Sequence, residues 1–455
     1  MPVTEKLDAH HKALTINLNA SAFGSFAEIG AGQEVSHWFF VVGGASATVA
    51  KTVSAYDKEV SDDLYGAGSR YVSKQRLEAM LEREWAQLLG QLQATRGAHT
   101  RFFSFVNTVA ARNFAGTNDA HGWVGLRWQR EPGGPASDVL LHINMRDPSN
   151  VQQQEAVGIL GVNVIYAAFY ELQSEETFLA GLAEEVVRER IEIDYVEVRG
   201  PAFEGWDQQT LLAHLVSRGY AEAVFLPAKG PAVPPTEALY KKALVLAPGY
   251  FAHGDPMHSQ VHMGLLDSAM LELKNELGES TDGKGAVAPA GFFCLTASPI
   301  APKEPVPEVA DLLRRINALR ASGGDVLLFR ESELYNMKQL VNRYTQAPVR
   351  FAVGVSLMIH AFEDIYGNLE GRLLEALARL LAQNVRIYVY PMSAEELGAR
   401  LKGLSISGWE WTETNGMVSA AALRHAPPVG HLYAYLLASH FLVPMQIPAT
   451  RTADA

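Results

Sequence analysis

The stretch Ile191-Glu192-Ile193-Asp194-Tyr195-Val196 is typical of a β-strand, and Val385-Arg386-Ile387-Tyr388-Val389-Tyr390 matches it further along the chain. In the same way, Asp138-Val139-Leu140-Leu141 recurs as Asp325-Val326-Leu327-Leu328. Both pairs, and other shorter matches, are about 190 residues apart, and a nearly constant spacing of this kind indicates an internal repeat.

The segments around these strands alternate between strand and helix patterns. Arg101 to Val109 and Val139 to Asn144 are rich in β-forming residues, whereas Val151 to Tyr170 and Glu175 to Arg190 have the patterns of helices. The first helix is preceded by Ser149, and a glutamine three residues later completes the spacing of a capping box. Alternating strands and helices predict an α/β fold with a largely parallel sheet flanked by helices.

The repeat and the alternation together predict two tandem duplicated units related by a pseudo-twofold axis. We place the first α/β unit at 37–240 and the second at 241–446, between an N-terminal lead at 1–36 and a tail at 447–455. With 455 residues in all, each unit is long enough to bury a core of its own.

The composition limits the classes to which the protein can belong. Hydrophobic residues make up 48% of the chain and charged residues 19%, which is typical of globular proteins. The formal net charge of −12 argues against a general nucleic-acid binder, which needs a basic surface. A single cysteine, Cys294, excludes an internal disulfide framework, and its place after two phenylalanines predicts a buried, unreactive thiol.

The sequence predicts a cytoplasmic protein without a membrane span. The N-terminal residues lack the basic and apolar regions of a secretory signal. The most apolar stretch, Ile159 to Phe169, is far shorter than the ~20 residues that a membrane-spanning helix needs.

The first candidate ligand site follows a predicted strand, His37 to Val42. Gly43 and Gly44 open the motif and Lys51-Thr52 closes it, in the strand–loop–helix context of a loop that binds phosphate through backbone N–H groups and a lysine. Ala50 stands where that motif needs glycine, so a tight strand-to-helix turn is the alternative interpretation.

Three histidines and a carboxylate form a candidate metal site, namely His253, Asp255, His258 and His262. His258 and His262 are four residues apart and would share one face of a helix. Such a set could bind Zn²⁺ or Mg²⁺, or stabilise the phosphates of a nucleotide near a helix start. The histidines of nucleotidyltransferases are three residues apart, however, so a polar surface is the alternative.

Two further pairs of charged residues complete the candidate ligand-binding set. Arg146 and Asp147 follow a strand, at the carboxyl end where open α/β sheets bind ligands. Lys241 and Lys242 lie at the junction of the two units and could hold an anion. Helix capping would explain the composition around the first pair without a ligand, and a solvated or interface position would explain the second.

Short motifs occur along nearly the whole chain. They are Ala27-Glu28-Ile29-Gly30-Ala31-Gly32-Gln33-Glu34-Val35, Trp38-Phe39-Phe40, Val49-Ala50-Lys51-Thr52, Ser54-Ala55-Tyr56-Asp57, Arg70-Tyr71-Val72-Ser73, Gln152-Gln153-Gln154-Glu155, Leu239-Tyr240-Lys241-Lys242, Asn368-Leu369-Glu370-Gly371 and Tyr388-Val389-Tyr390-Pro391. In these motifs the chain resembles a family of uncharacterised bacterial proteins of similar length, whose members are automatically named nicotinate-nucleotide adenylyltransferase or TonB-dependent receptor. The receptor name implies an exported protein, which the predicted cytoplasmic location does not match. The adenylyltransferase name implies a nucleotide site between Gly249 and His258, where the histidine spacing departs from the enzyme motif.

Two functional hypotheses follow. Because each catalytic motif is broken at a position that its chemistry needs, the first is a non-catalytic α/β protein that self-associates as a homo-oligomer or binds a partner. The alternative is a nucleotide-handling enzyme, adenylyltransferase-like, that binds a nucleotide or a phosphorylated small molecule at a strand-to-helix loop. The sequence does not decide whether the protein is an enzyme.

Overall fold

The computed structural model describes residues 7–68, 70–116, 118–251, 256–278, 289–298, 306–363, 365–404 and 406–447, without the side chains of 256–258. The chain divides into two compact units, Met1–Glu222 and Ala223–Ala455.

The first unit includes α1 and β1, which precede residue 37, where the sequence analysis placed the start of this unit. Its described strands are β1 Ala22–Gly30, β2 Val49–Val53, β3 Arg101–Ala110, β4 His121–Gln129, β5 Ala136–Met145 and β6 Ile191–Arg199. Its described helices are α1 Ala9–Asn17, α2 Val35–Val41, α3 Lys58–Tyr65, α4 Lys74–Arg96, α5 Asn150–Tyr170, α6 Glu175–Leu182 and α7 Gln208–Ser217.

The sheet of the first unit has the strand order β2-β1-β3-β4-β5-β6 within the described residues. β1 is parallel to both of its neighbours, whereas β3, β4, β5 and β6 pair in an antiparallel meander. The α/β class is therefore confirmed, but the parallel part of this sheet is shorter than the sequence predicted. The reason is that short connections join β3 to β4 and β4 to β5, and only antiparallel neighbours can be joined so directly.

Helices cover both faces of the first sheet. On one face, a methyl group at Gly125 of β4 would touch Leu77 and Leu81 of α4, which shows how closely that helix packs. On the other face, the ring of Phe26 lies 5.1 Å from that of Phe39 in α2. The first sheet is therefore covered by α4 on one face and by α2 on the other.

The second unit begins with β7. Its described strands are β7 Ala223–Leu226, β8 Leu244–Pro248, β9 Ala290–Thr296, β10 Val326–Phe329, β11 Val349–Gly354, β12 Val385–Tyr390, β13 Met392–Ser393, β14 Trp409–Trp411, β15 Met417–Val418, β16 Leu423–His425 and β17 Leu442–Pro444. Its described helices are α8 Pro235–Leu239, α9 Pro256–Leu277, α10 Val309–Ala321, α11 Leu334–Val341, α12 Val355–His360, α13 Arg372–Leu381, α14 Ala394–Leu404 and α15 Val429–Ala438.

The main sheet of the second unit has the order β17-β12-β11-β8-β9-β10-β7 among the described strands. All neighbours in it are parallel except β7, which pairs antiparallel with β10. From β8 the order runs outward in both directions, which is the doubly wound arrangement of α/β proteins. The pairing of Val326 with Leu226 also explains why the units divide before β7, about 18 residues ahead of the predicted junction at 241.

The segments that the repeat equates occupy different places in the two sheets. Ile191 to Val196 lies in β6, at the edge of an antiparallel meander, whereas Val385 to Tyr390 forms β12 inside a parallel sheet. Asp138 to Leu141 lies in β5 between two antiparallel neighbours, whereas β10 is parallel to β9. The duplication and its pseudo-twofold axis are not confirmed and stay predictions.

Several local predictions are confirmed. Ser149 caps α5 by accepting a hydrogen bond from the backbone N–H of Gln152, as in the predicted capping box. Glu175 begins α6, but this helix ends at Leu182 rather than extending to Arg190. Cys294 is fully buried in β9, and burial raises the pKa of its thiol, so it is the unreactive cysteine that the sequence predicted. None of the helices that the structure describes has the length and apolar character of a membrane-spanning segment.

Candidate functional site

The strand order of the second sheet creates a switch point between β8 and β11. The chain passes from β8 to β9 and β10 on one side, and then returns to β11 on the other side of β8. Because the connections from these two strands leave in opposite directions, a crevice opens at their carboxyl ends. Open α/β sheets bind their ligands in this crevice.

A small cleft with a cavity volume of about 30 Å³ lies at this edge of the sheet and opens to solvent. Pro248 and Gly249 from the end of β8 and Thr296 from the end of β9 contribute to its lining. The apolar lining is completed by Leu334, Met337, Leu357, Ala361 and Ile365, and the polar lining by Ser332, Glu333, His360 and Tyr366. A mainly apolar lining with a few convergent polar groups is shared by small-molecule sites, although such sites are larger.

Glu333 brings a carboxylate to the cleft. The residue directly precedes α11, and Asn336 Nδ2 donates a hydrogen bond of 3.3 Å to its Oε2. Glu333 is partly exposed, so its carboxylate can also accept hydrogen bonds from the hydroxyl or amino groups of a ligand.

Tyr366 is held in place by its hydroxyl group. This hydroxyl donates a hydrogen bond of 2.9 Å to the carbonyl oxygen of Ala361, and the ring packs edge-on against Tyr335 at 5.9 Å. Burial raises the pKa of Tyr366, and the negative charge of Glu333 raises it further. The phenol therefore stays protonated at neutral pH and fixes the segment that follows α12.

The charge of the cleft selects against anions. Of the described residues that line it, none is a lysine or arginine, whereas Glu333 supplies a negative charge. The nearby Arg330 guanidinium lies 2.6 Å from a carboxylate oxygen of Glu331 and is neutralised by it. This lining favours a neutral or cationic polar group over a phosphate.

The connection from β8 to α9 starts beside the cleft and is anchored at Tyr250. The Arg315 guanidinium lies 4.0 Å from the Tyr250 ring centroid and donates a hydrogen bond of 3.1 Å to the Tyr250 carbonyl oxygen. Asp311, one helical turn before Arg315, forms an ion pair with it. The backbone next to the cleft is therefore fixed from α10.

The predicted histidine site falls largely beyond these anchored residues. His253 and Asp255 lie outside the described residues, and His258 lies in α9 but its side chain is not described. The His262 ring packs edge-on against Phe251 at 5.0 Å. Within the described ranges, no three His, Cys, Asp or Glu side chains form a group that could hold a metal ion. The metal site, and the Zn²⁺ or Mg²⁺ in it, stays a prediction.

The structural context predicted for Gly43, Gly44, Lys51 and Thr52 is wrong. The expected strand from His37 to Val42 is instead a helix, and Lys51 and Thr52 lie in β2 rather than opening a helix. The order is therefore helix–loop–strand, the reverse of the context of a phosphate-binding loop.

Tertiary contacts account for this reversal. The Glu28 carboxylate accepts a hydrogen bond of 2.8 Å from the backbone N–H of Val35, and it also binds the N–H and hydroxyl of Ser36. A side chain of β1 thus stabilises the start of α2, which no local sequence signal indicates. Lys51 Nζ lies 2.7 Å from a carboxylate oxygen of the buried Glu84, so an ion pair with α4 engages its charge.

Arg146 and Asp147 follow β5, as predicted, and each has an acidic or basic partner in the segment around β6. Arg146 pairs with the Glu192 carboxylate, and Asp147 accepts a hydrogen bond of 2.9 Å from Arg190 Nε. These ion pairs link the segment after β5 to the start of β6. Ligand binding by the pair stays a prediction.

Lys241 and Lys242 follow α8 and precede β8. The Lys241 ammonium lies 4.9 Å from the ring centroid of Tyr240, and its backbone has the positive φ of 56°. The Lys242 carbonyl oxygen accepts a hydrogen bond of 2.7 Å from Thr345 Oγ1. These contacts assign the pair a role in a turn, and its binding of an anion stays a prediction.

Sequence reasoning missed the polar residues of the cleft. Glu333 and Tyr366 come from connections that follow β10 and α12, so nothing in their spacing links them. A usable signal was the short apolar run Val326 to Phe329 followed by polar residues, because the ends of parallel strands carry ligand-binding groups.

Comparison with known proteins adds little. No family model matches the chain, and no curated protein sequence matches it. Three solved structures are similar to parts of it. A competence/damage-inducible protein from Agrobacterium tumefaciens has 18% sequence identity and a TM-score of 0.25, with 36% of this chain and 98% of that chain covered. A competence or damage-inducible protein from Enterobacter asburiae has 15% identity and a TM-score of 0.26, with 36% of this chain and 99% of that chain covered, and a competence-damaged superfamily protein from Enterobacter cloacae has 14% identity and a TM-score of 0.26, with 37% of this chain and 95% of that chain covered. With these scores, the likeness carries no argument about fold or function. Cytoplasmic location and homo-oligomer formation stay predictions.

Proposed function

We propose that the protein binds a small molecule of the nucleoside class in the cleft at the carboxyl edge of the second sheet. The observation that carries this proposal is that the cleft coincides with the switch point of a doubly wound sheet. Proteins with this strand order use that crevice for ligands that combine a planar ring with a hydroxyl-bearing sugar.

The cleft, at about 30 Å³, must widen to admit such a ligand, and its lining then offers partners to both parts of it. Leu334, Met337 and Leu357 offer apolar contact to a base. The Glu333 carboxylate can accept two hydrogen bonds, as vicinal ribose hydroxyls require, and acidic residues near such crevices bind ribose in this way.

The charge of the lining refines the ligand class. A nucleoside without phosphate meets no repulsion from Glu333, whereas a nucleotide needs cations elsewhere. The start of α9 is the place where phosphates bind in this strand order, but residues 252–255 lie outside the described residues. Adenylyltransferase-like phosphate binding at this loop therefore stays a prediction.

Thermal unfolding with adenosine, NAD, nicotinate mononucleotide and ATP, each with and without Mg²⁺, tests the proposal. We expect adenosine to raise the melting temperature more than ATP does. A ligand present at a hundred times its Kd stabilises the native state by about 2.7 kcal/mol, which such melts detect.

Glu333→Gln is the informative variant and Glu331→Gln its control. The first keeps the shape of the side chain but loses the charge, and we expect about tenfold weaker adenosine binding by calorimetry. The second removes a neighbouring carboxylate that does not line the cleft, and adenosine should bind it as it binds the wild type. Equal affinities for all three proteins, or no binding of any nucleoside, would contradict the proposal.

A further inference from the structure

Three adjacent strands of the first sheet place His121, His142 and Asp194 in a chain of hydrogen bonds. His121 Nδ1 lies 3.1 Å from His142 Nε2, and His142 Nδ1 lies 2.6 Å from Asp194 Oδ1. The three residues come from β4, β5 and β6, so strand pairing sets their separation, with a register shift in the β5–β6 ladder at Asp194.

The inner part of this chain is enclosed. The side chains of His142 and Asp194 are each 1% exposed, and the Trp123 ring packs edge-on against His142 at 5.1 Å. Asn144 Nδ2 donates a hydrogen bond of 2.8 Å to Asp194 Oδ2, so both carboxylate oxygens have a donor. His121, at the start of β4, is partly exposed and is the end of the chain that a small molecule can reach.

The hydrogen bonds fix the tautomers. Because an ionised Asp194 only accepts, His142 must donate from Nδ1, and its Nε2 then carries a lone pair. This lone pair accepts the N–H of His121 Nδ1, which leaves the lone pair of His121 on Nε2. Burial lowers the pKa of His121 to about 4. His142 and Arg70 lower this pKa further, and Asp194 raises it by a smaller amount than burial lowers it, so the ring is neutral at neutral pH.

Positive charge lies near His121. Arg70 is close enough to lower the pKa of the imidazole. Asn144 lies opposite His121 in the β4–β5 ladder. An oxyanion next to His121 would therefore meet the positive field of the Arg70 guanidinium.

We propose that this cluster is a second site, for a small molecule that carries a carboxylate or phosphate, with His121 as proton acceptor and His142 and Asp194 as positioning residues. An O–H bond of the substrate, or of a water beside it, breaks; the proton goes to His121 Nε2 and the electron pair stays on oxygen. The Nδ1 proton of His121 passes to His142 Nε2, so the positive charge rests on His142 beside the Asp194 carboxylate.

Long-range ¹H–¹⁵N spectra of the full chain labelled with ¹⁵N-histidine test the tautomers at neutral pH. We expect His121 to carry its proton on Nδ1 and none on Nε2, and inorganic phosphate to shift both ring nitrogens of His121. A protonated Nε2 in the wild type would overturn the assignment of His121 as proton acceptor. A spectrum that phosphate leaves unchanged would overturn the anion site.

Diethyl pyrocarbonate supplies a second readout, because it modifies an imidazole at an unprotonated nitrogen. We expect phosphate to slow the modification of His121 but not that of His11, an exposed histidine that also bonds a carboxylate and serves as control. In Asp194→Asn the amide can donate to His142 Nδ1, which would reverse both hydrogen bonds and protonate His121 Nε2.

The Asp194→Asn variant should therefore react about tenfold more slowly at His121, with His11 unaffected. An unchanged rate at His121 would contradict the role of Asp194 as a positioning residue. If this variant does not fold, the wild-type spectra and the phosphate protection decide between the outcomes.

Discussion

The two sheets of this protein place polar groups in different ways. In the second unit, Glu333 and Tyr366 come from connections at the carboxyl edge of parallel strands. In the first, His121, His142 and Asp194 stand on neighbouring antiparallel strands, where the ladder itself sets the separation between side chains. His142 and Asp194 are buried within the sheet, whereas Glu333 is partly exposed at the cleft, so changes at these residues should have different effects on stability.

The largest expected effect is the pH dependence of the first unit. The folded-state pKa of His121, about 4, lies below its ordinary value of 6.5, so the unfolded state binds more protons between these values. The free energy of unfolding therefore falls as the pH falls through this window, by up to about 3 kcal/mol. Urea unfolding at several pH values should show this loss in the wild type and not in His121→Gln.

The comparison with His121→Gln is needed because Glu28 acts in the opposite direction. Burial raises the pKa of Glu28 to about 7, so its contribution is present below its ordinary value of 4.5 and is lost as the pH rises through about 7. The wild-type curve alone contains both effects. If the curves of wild type and His121→Gln stay parallel between pH 6.5 and 4, the prediction for His121 is wrong.

Asp194→Asn and Glu333→Gln compare the two places directly. Asp194 is buried and accepts from His142 and Asn144, so its substitution should lower the free energy of unfolding by about 1–3 kcal/mol. Glu333 is partly exposed in a cleft, and its substitution should change stability by no more than about 0.5 kcal/mol. Chemical denaturation measures both, and similar losses would show that the cleft is as much a part of the core as the strand cluster.

Two glycines in two long helices, Gly161 and Gly264, should have effects of opposite sign, the first no larger than that of Asp194→Asn. A methyl group at Gly161 of α5 would lie 2.3 Å from a Val35 methyl and 2.9 Å from the Phe105 ring, so Gly161→Ala should cost about 1–3 kcal/mol. Gly264 of α9 has no atom within 4 Å of that position among the described residues, so Gly264→Ala should stabilise the protein by about 0.5–1 kcal/mol. Melting curves of the two variants should move in opposite directions, and a common sign would show that helix propensity or packing has been misjudged.

The sequence predicted elements well where local signals were strong. Ser149 marked the start of α5, and the β-rich runs from Arg101 and from Val139 became β3 and β5. It failed at α2, because an aromatic and β-branched run is typical of a strand, while the Glu28 carboxylate stabilises a helix there. The predicted sites had the same difficulty, since Lys51 and Arg146 found partners far away in the chain.

By itself, the sequence determined the α/β class, most of the long elements and the buried state of Cys294, because periodicity and composition act locally. Only the tertiary structure decided the order of strands, and with it both candidate sites. Glu333 reaches a cleft because the chain reverses between β8 and β11, and His121 meets His142 because two strands pair in one register. Strand order and register are set by packing and pairing over long distances in the chain, which local residue preferences do not specify.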